Sequence, residues 1–464
     1  MERTPTMWVG DEITVFAPNP NYTFGTPGNA AEGGLGAFLD RVAKVVTEPS
    51  GTVIIGDSIP LQLGFQRGKA PTWSTPRINT EPLNSARKHG WTISKERPWM
   101  VCTRREQDHR GRRYNRTVYL GIAHWLEPKK CTLIDRDPAT MIARMHWWYR
   151  LVGLPYYGEH PGVAAVAVLR DGYNGKRTPY WTPVFDGIDP AEKATEVPCV
   201  WQASPDADRL PYEHGYDVTA LHLAAAGTVQ LAVDRLTYRG AGLQLVSENP
   251  PGYYRITVPE WRFYDRMPHP AGRYFPGDTV WVAHPTVDML FEVAHEYGVI
   301  AEPEVHEAWT CDISNRVMRD FSRWFSEGLK LAAGFEDLAV YDALKEGYKK
   351  GIGMLNMRPN PKEPDHKGRV FRPDWEHAII AKSRCDVWRK LWKEGNTSGR
   401  WPVEVTENDL VYYGSDDPDP AADASWPVTF KKSEITEHDG RRVATGPGSW
   451  KAQPNKTRQV VSHD

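Results

Sequence analysis

The chain has 464 residues and a formal net charge of -2, from 57 Lys and Arg against 59 Asp and Glu. This length excludes a short peptide or a disulfide-stapled miniprotein, and the five unpaired-looking cysteines exclude a disulfide framework or a zinc site built from CxxC pairs. Mean hydropathy is -0.56 and no apolar run approaches the roughly 18 residues of a membrane span, so we expect a cytoplasmic protein without a membrane partner.

The first half of the chain predicts an irregular leader followed by an α/β domain. Residues 1–50 are rich in Gly, Pro and Asn, and only GAFLDRVAKVV is amphipathic. The segments GTVIIGD, RPWMVCTR, RTVYLGIAHWL and CTLIDRD have the short β-type runs of strands, and ATMIARMHWWYRLVG has the apolar spacing of a helix. The Pro-, Asp- and Gly-rich stretch from Tyr173 to Pro211 predicts a boundary, so we assign residues 51–200 to this domain.

The second half alternates short predicted strands with longer helices. HGYDV is predicted as a strand that turns directly into a helix over LHLAAAGTVQLAV, and WRFYDRMP, DTVWVAHP and VHEAWTCD are predicted as further strands. TVDMLFEVAHEYG is predicted as a helix that ends at Gly298. Helices are also predicted over NRVMRDFSRWFSEGLKLAAG, EDLAVYDALKEGYKKGIGML and DWEHAIIAKSRCDVWRKLWKEG, before a strand over VEVTENDLVYY and a polar tail. This pattern is typical of a mixed α/β (α+β) fold.

Three segments of the second half carry charged residues that we consider together. Asp217 ends the HGYDV strand, Lys345 lies late in a helix, and Glu407 and Asp409 are spaced so that both side chains share one face of a strand. Each has an ordinary interpretation when taken alone. Asp217 is typical of a turn or a helix cap, and Lys345 is typical of the solvated face of a helix. The acidic pair is typical of the exposed face of a strand.

The order and placement of these segments resemble the palm of family B DNA polymerases, especially the compact protein-primed type. In that family motif A reads roughly D-x-x-S-L-Y-P, motif B reads K-x-x-x-N-S-x-Y-G, and motif C reads D-T-D-S. Asp217-Val-Thr-Ala-Leu-His222 occupies the place of the first motif, and Glu407-Asn-Asp409 that of the third. The spacing of the second motif is kept by Lys345, Lys349, Lys350, Ile352 and Gly353. The resemblance covers roughly residues 210–415.

The resemblance implies a polymerase-like palm with an antiparallel sheet and helical fingers, preceded by an RNase H-like N-terminal domain. It divides the remaining chain into a first palm part, helical fingers, a second palm part and a reduced thumb or tail, at residues 201–312, 313–358, 359–425 and 426–464. The family's proofreading exonuclease needs an Asp-x-Glu on a strand. Because the N-terminal strands offer only Asp57, Asp135 and Asp137, we expect no proofreading activity.

The resemblance also implies template-directed nucleotidyl transfer promoted by two Mg²⁺ or Mn²⁺ ions. It places Asp217, Asp409 and Val218 at the metal site, with Glu407 as a weaker contributor. The implied nucleotide contacts are Lys345, His222, Lys330, Arg323, Arg319, Lys349 and Ile352.

His222 stands where the family has the tyrosine that excludes a ribose 2′-hydroxyl, and Ile352 replaces a second tyrosine. We therefore expect weakened discrimination against ribonucleotides, as primer synthesis would require. The alternative is that His222 is simply a partly buried core histidine.

Local clusters of basic residues predict nucleic-acid contacts that a neutral net charge does not exclude. The segment TRREQDHRGRRYNR holds six arginines, and Arg110, Arg112 and Arg113 fall in its predicted hairpin loop. The expected partners are a DNA template, a nucleic-acid or protein primer and nucleoside triphosphates, with a terminal or replication protein of a phage or other mobile element implied by the resemblance.

A second basic cluster lies on the last predicted long helix. Lys382 and Arg389 lie there near Trp388 and Trp392, a mixture that can hold phosphates and stack bases. The alternative is a core stripe of tryptophans with basic side chains extending around it to solvent.

Two other functions stay open. A polymerase-derived scaffold would bind DNA ends or a replication partner without catalysis, which the weak second motif and the short tail favour. An RNase H-like nuclease would use Asp57, Asp135 and Asp137 as its acidic residues.

Overall fold

The structure is a computed structural model of the chain. It describes residues 6–9, 15–16, 32–45, 50–55, 63, 80–96, 99–122, 132–135, 138–152, 161–171, 189–194, 196, 199–203, 210–357, 370–406, 409–414, 426–438, 440–453 and 458–459. The chain divides into two compact units: unit 1 comprises Met1–Val168 and Asp337–Gly351, and unit 2 comprises Leu169–Glu336 and Ile352–Asp464.

Unit 1 is built on a six-stranded sheet. Its strands are β1 (Thr6–Val9), β2 (Val15–Phe16), β3 (Ser50–Ile55), β4 (Thr92–Glu96), β5 (Trp99–Gln107) and β6 (Arg113–Ile122). In the order β2-β1-β3-β6-β5-β4, strands β1, β3 and β6 are parallel, whereas β4, β5 and β6 form an antiparallel meander. Because β1 pairs with β2 and β3, residues 6–9 and 15–16 belong to the sheet, and the expected irregular leader is wrong for these residues.

Helices pack against this sheet through apolar residues at helical spacing. The helices of the N-terminal half are α1 (Gly34–Val45), α2 (Thr80–Lys88), α3 (Pro138–Val152) and α4 (Pro161–Asp171). Leu35, Phe38, Leu39 and Val42 of α1 are fully buried with residues of β3, β5 and β6. The CTLIDRD segment does not form the expected strand over its described part, since residues 132–135 are turn and irregular backbone. An RNase H-like fold for this unit stays a prediction.

Unit 2 contains most of the remaining strands. In chain order they are β7 (Val200–Gln202), β8 (Tyr212–Val218), β9 (Leu231–Ala232), β10 (Thr237–Arg239), β11 (Gly252–Thr257), β12 (Thr279–Ala283), β13 (Glu304–Thr310), β14 (Ser314–Asn315), β15 (Glu404–Thr406), β16 (Asp409–Gly414), β17 (Glu434–His438), β18 (Arg441–Thr445), β19 (Trp450–Ala452) and β20 (Arg458–Gln459). One antiparallel sheet has the order β19-β8-β16-β15-β7, with β20 also paired to β8. A second antiparallel sheet has the order β10-β13-β11-β12.

The later helices are α5 (Pro190–Lys193), α6 (Leu221–Thr228), α7 (His284–His295), α8 (Arg319–Ala332), α9 (Ala339–Gly353) and α10 (Pro373–Ser398). The long helix α10 is central to unit 2 because both ends and its middle are buried, at Trp375, Cys385 and Leu391. Its Arg384 pairs with the buried Glu196 at 2.7 Å, and Glu196 in turn accepts the Ala283 N–H at the start of α7. A buried charged contact therefore connects α10 with the start of α7.

Four predicted elements of unit 2 differ from the structure. The helix predicted over LHLAAAGTVQLAV ends at Thr228, and Leu231–Ala232 form strand β9. The WRFYDRMP segment forms turns instead of a strand. The VEVTENDLVYY segment is two strands, β15 and β16, which pair antiparallel. The tail is not merely a polar extension, because β19 and β20 join the sheet that contains β8.

Two expectations from composition concern cysteines and membrane spans. Cys102, Cys199, Cys311 and Cys385 are free and buried, while Cys131 lies outside the described residues. None of the described helices combines the length and apolar character needed to cross a bilayer.

Candidate active site

The corner where β8 leads into α6 positions Asp217. Side chains alternate along β8, so Tyr216 (2% exposed) and Val218 (4%) face the core and Asp217 lies on the opposite face. The strand ends at Val218 and α6 begins at Leu221, which confirms the predicted strand-to-helix turn. Because the Val218 side chain is buried, only its main-chain carbonyl is left for the metal role that the resemblance implies.

Asp409 lies directly opposite Asp217. Thr406 of β15 pairs with Asp409 of β16 across a hairpin, and Glu407 lies outside the described residues. Strand β16 begins at Asp409, and the expectation that Glu407 shares a strand face with it stays a prediction. Strand β16 runs antiparallel to β8 with Asp409 in register with Asp217. Directly opposed residues have Cβ atoms about 4.5–5.5 Å apart, so two carboxylates from distant segments sit side by side on one face of the sheet.

The β19 region supplies donors to both carboxylates. Lys451 is in register with Asp217, and its Nζ lies 2.9 Å from Asp217 Oδ2. Gln453 donates from Nε2 to Asp409 Oδ1 at 2.7 Å. Like charges that face each other across a strand pair repel, so the ammonium and the amide offset the repulsion of the acidic pair. The Lys451 side chain is 31% exposed, which leaves this ion pair accessible to solvent and to dissolved cations.

The donor set suits a hard divalent cation. Mg²⁺ is bound in proteins by one or two carboxylates together with substrate phosphates and water, and Asp217 and Asp409 present carboxylates from neighbouring strands. A cation there would compete with the Lys451 ammonium for Asp217 Oδ2. Across the part of the chain that the structure describes, no three His, Cys, Asp or Glu side chains form a metal-binding group. An ion at this position therefore rests on the pair and on ligands from its substrate or from water.

A strained residue and a hydroxyl network fix the turn before α6. Ala220 has φ 48° and ψ 45°, and among the described residues it is the one non-glycine with positive φ. This conformation costs an alanine about 1–2 kcal/mol. Thr219 donates its N–H to the Ser449 carbonyl and accepts the Gly448 N–H, both at 2.8 Å. The Thr219 hydroxyl lies 2.8 Å from that of Ser433, which lies 2.9 Å from the Ser449 hydroxyl. These contacts hold the strained turn in place.

The expected nucleotide contacts fall into different surroundings. His222 is half-buried in the first turn of α6, in the same unit as the carboxylate pair. Ile352 is only 4% exposed, so it is a packing residue and not the nucleotide contact we expected. Lys345 is half-buried and Lys349 exposed on α9, within unit 1. Their contact with a nucleotide stays a prediction, as does that of His222.

Helix α8 presents a basic exposed face. Arg319, Arg323 and Lys330 share this face through their helical spacing. Arg323 pairs with Asp320 at 3.1 Å, and Lys330 pairs with Glu434 at 3.4 Å. Exposed pairs of this kind contribute about 0–1 kcal/mol, so an anionic ligand replaces them at little cost.

The basic residues of α10 are already paired with acidic neighbours. Lys382 pairs with Asp386, and Arg389 pairs with Glu292 at 2.6 Å and with Asp386 at 3.2 Å. Trp388 is 2% exposed and belongs to the core of unit 2. Trp388 therefore follows the core-stripe interpretation, and the expected nucleic-acid contacts of Lys382 and Arg389 stay a prediction.

The acidic residues of the nuclease alternative are only partly described. Asp135 pairs with Arg144 at 2.8 Å, and Arg144 also pairs with Asp337 at 2.5 Å. Asp57 and Asp137 lie outside the described residues. The carboxylate of Asp135 thus serves a structural ion pair.

Sequence reasoning missed Lys451 and Gln453. The run Trp450-Lys451-Ala452-Gln453 alternates apolar and polar residues, which is the pattern of a half-buried strand. Trp450 is 2% exposed and stacks on Phe430 with ring centroids 4.2 Å apart. This alternation could have predicted strand β19, but the polar composition of the tail masks it.

The chain was compared with known proteins. No family model and no curated protein matches it. Among solved structures it is similar to Phi29 DNA polymerase with primer-template DNA in a post-translocation binary complex, with 11% identity, a TM-score of 0.45, and coverage of 90% of this chain and 85% of that chain. The same polymerase with single-stranded DNA has 13% identity, a TM-score of 0.44, and coverage of 92% of this chain and 84% of that chain. The functional proposal is accordingly drawn from the carboxylate pair and its surroundings.

Proposed function

We propose that the chain is a metal-dependent, template-directed nucleotidyltransferase of the DNA polymerase type. The observation that carries this proposal is the register of Asp409 opposite Asp217 on one face of an antiparallel sheet. Two carboxylates in this position form an acidic site, and the Lys451 ammonium lies 2.9 Å from one of them. A site of this charge favours divalent cations over monovalent ones because the attraction grows with the charge of the ion.

Two Mg²⁺ or Mn²⁺ ions, when bound, would supply positive charge to the attacking and leaving oxygens at phosphorus. Asp217 and Asp409 would hold them, with the main-chain carbonyl of Val218 as a further oxygen. The basic face of α8, formed by Arg319, Arg323 and Lys330, would bind the triphosphate of the incoming nucleotide.

One observation favours a second function, a scaffold that binds DNA without catalysis. Lys451 lies 2.9 Å from Asp217 and can satisfy that carboxylate permanently. A chain in which this ion pair never opens would keep the polymerase-like architecture and bind no divalent cation. Metal binding and primer extension separate the two functions.

Primer extension on a primed DNA template, with Mg²⁺ or Mn²⁺ and deoxynucleotides, tests the proposal. We expect extension by the wild type and a loss of about 100-fold or more in Asp409→Asn and in Asp217→Asn, because each removes a carboxylate that would hold the cations. The matched control is Glu437→Gln, an exposed carboxylate on β17 in the same unit. Unchanged extension by both Asp variants would refute the proposal, whereas wild type that neither extends primers nor binds divalent cations would establish the scaffold.

The same assay addresses the finer parts of the proposal. Ribonucleotides in place of deoxynucleotides test the expected tolerance at His222, and strong rejection of ribonucleotides removes it. Incubation of primer and metal without nucleotides tests the expected lack of proofreading. Metal-dependent 3′–5′ degradation that Asp135→Ala abolishes would contradict that expectation.

A further inference from the structure

The arginines of the β5–β6 hairpin lie on two opposite faces. In the antiparallel register Arg104 lies opposite Arg116, whereas the next residue, Arg105, lies opposite Asn115. Since successive side chains of a strand point to opposite faces, Arg104 and Arg116 share one face and Arg105 lies on the other. The two faces have different chemistry.

On the inner face the arginines are neutralised by carboxylates. Glu106 accepts hydrogen bonds from Arg104 Nη2 at 2.6 Å, Arg116 Nε at 2.7 Å and the Tyr114 hydroxyl at 2.7 Å. Arg104 also pairs with Asp40 of α1. Burial raises the pKa of Glu106, but the hydrogen bonds from Arg116, Tyr114 and Arg104 outweigh it and hold the pKa below its usual value. The inner arginines therefore bind carboxylates of the fold itself.

The outer face has basic and neutral polar side chains and no carboxylate. It consists of Thr103, Arg105, Gln107, Arg113, Asn115 and Thr117. Both arginines are exposed, and neither forms an ion pair with any residue in the described ranges. Arg, Thr, Asn and Gln are side-chain types that donate hydrogen bonds to phosphate oxygens in protein–nucleic acid complexes.

The hairpin tip extends the same basic surface. The Asp108 carboxylate accepts the N–H groups of Arg110 and Arg112, both at 2.8 Å, and Gly111 has φ 74°. This turn leaves the side chains of Arg110 and Arg112 exposed. Arg112 Nε lies 3.9 Å from Asp108 Oδ2, at the limit of an ion pair, so most of its charge is available to a ligand.

We propose that the outer face and the tip of the β5–β6 hairpin bind the phosphate backbone of a nucleic-acid strand, independently of its sequence. None of the six outer-face residues is aromatic, so the contact uses charge and hydrogen bonds and not base stacking. None is a large apolar residue, which disfavours insertion into a lipid surface. This binding goes beyond the catalytic proposal and does not depend on it.

Fluorescence anisotropy with a labelled oligonucleotide tests the inference on the full chain, without divalent cations or nucleotides. Single-stranded and duplex forms of the same sequence are compared. The logarithm of the affinity for duplex DNA falls with the logarithm of the salt concentration, and each phosphate contact adds about 0.9 to this slope. One contact therefore contributes about fivefold to the affinity at 0.15 M salt. We therefore expect Arg105→Ala with Arg113→Ala to weaken duplex binding about 30-fold and to lower the salt slope by about 2.

The matched control is Arg87→Ala with Lys88→Ala, which makes the same change of charge on exposed residues of α2 in the same unit. A second variant, Arg105→Lys with Arg113→Lys, keeps the charges and should retain most of the affinity. Equal losses in the outer-face variant and the α2 control would overturn the inference, as would no loss in either. Because the measurement contains no metal and no nucleotide, failure of primer extension does not affect its outcome.

Discussion

Replacement of Lys451 by Met removes the ammonium beside Asp217 while keeping a side chain of similar length. The change leaves Asp217 and Asp409 facing each other without their cation. Directly opposed like charges in a strand pair cost about 0.2–1 kcal/mol. The lost ion pair, screened because Lys451 is 31% exposed, adds about 0.2–1 kcal/mol. A combined loss of about 0.4–2 kcal/mol lowers the melting temperature by about 0.5–3 °C in a unit of this size.

A divalent cation should reverse this difference. In the variant Mg²⁺ no longer competes with the Lys451 ammonium for Asp217. Loss of a competing ion pair worth about 1 kcal/mol lowers the Kd for Mg²⁺ about fivefold. Because a bound ligand stabilises the folded state according to its concentration and Kd, the variant should gain more stability per unit of added Mg²⁺ than the wild type. Thermal unfolding across a magnesium titration measures both effects.

The control for this titration is Lys431→Met, which removes an exposed lysine of the same unit. It should melt like the wild type and respond to Mg²⁺ like the wild type. If Lys451→Met and the wild type show the same magnesium dependence, the carboxylate pair is not a cation site. A magnesium response that persists when Asp217 and Asp409 are both replaced by Asn would refute the reasoning in the same way.

Two further predictions concern stability. Burial raises the pKa of Glu376 from 4.5 to about 7. Below pH 4.5 the carboxyl is protonated in both the folded and the unfolded chain. As the pH rises from 4.5 to about 7 it ionises more readily in the unfolded chain, so the free energy of unfolding falls. Glu376→Gln should therefore stabilise the chain by about 2–3 kcal/mol more at pH 8 than at pH 4, measured from urea midpoints, and an equal effect at both pH values would contradict this. Gly446 has φ 92°, and a Cβ there would lie 2.9 Å from the Ser449 hydroxyl. The control is Gly440→Ala, because Gly440 has φ 75° but its Cβ would meet no atom within 4 Å. Gly446→Ala should lower the free energy of unfolding by about 1 kcal/mol more than this control. Equal thermal shifts in the two variants would show that the hydroxyl network does not contribute to stability.

The positions of the two carboxylates could be predicted because local patterns were clear. HGYDV and DLVYY are short β-type runs, and the structure has both on strands, β8 and β16. Their pairing could not be deduced from local patterns, since the period of a strand does not say which partner it has. The idea that Asp217 and Asp409 lie close together came from the resemblance to a polymerase palm.

The errors have identifiable physical causes. The WRFYDRMP segment looks like a strand because it is rich in aromatic residues, yet Trp261 lies in a turn region where its Nε1 donates to the Met267 carbonyl at 3.0 Å. A short aromatic run alone does not separate a strand from a turn that buries one of its rings. Asp386 lies four residues after Lys382 and three before Arg389, so their pairing on one helix could be predicted, whereas the approach of Glu292 to Arg389 could not.

The carboxylate site draws its three adjacent strands from widely separated parts of the chain: β8, then β16 about two hundred residues later, and β19 near the C-terminal end. During translation Asp217 emerges from the ribosome long before its neighbours do. The acidic pair and its lysine can assemble only after β19 has been synthesised, since long-range strand pairing has to wait for its partner. A chain halted before β19 would expose a half-made sheet edge around Asp217, which makes stalled or truncated products of this protein candidates for aggregation and for removal by cellular quality control.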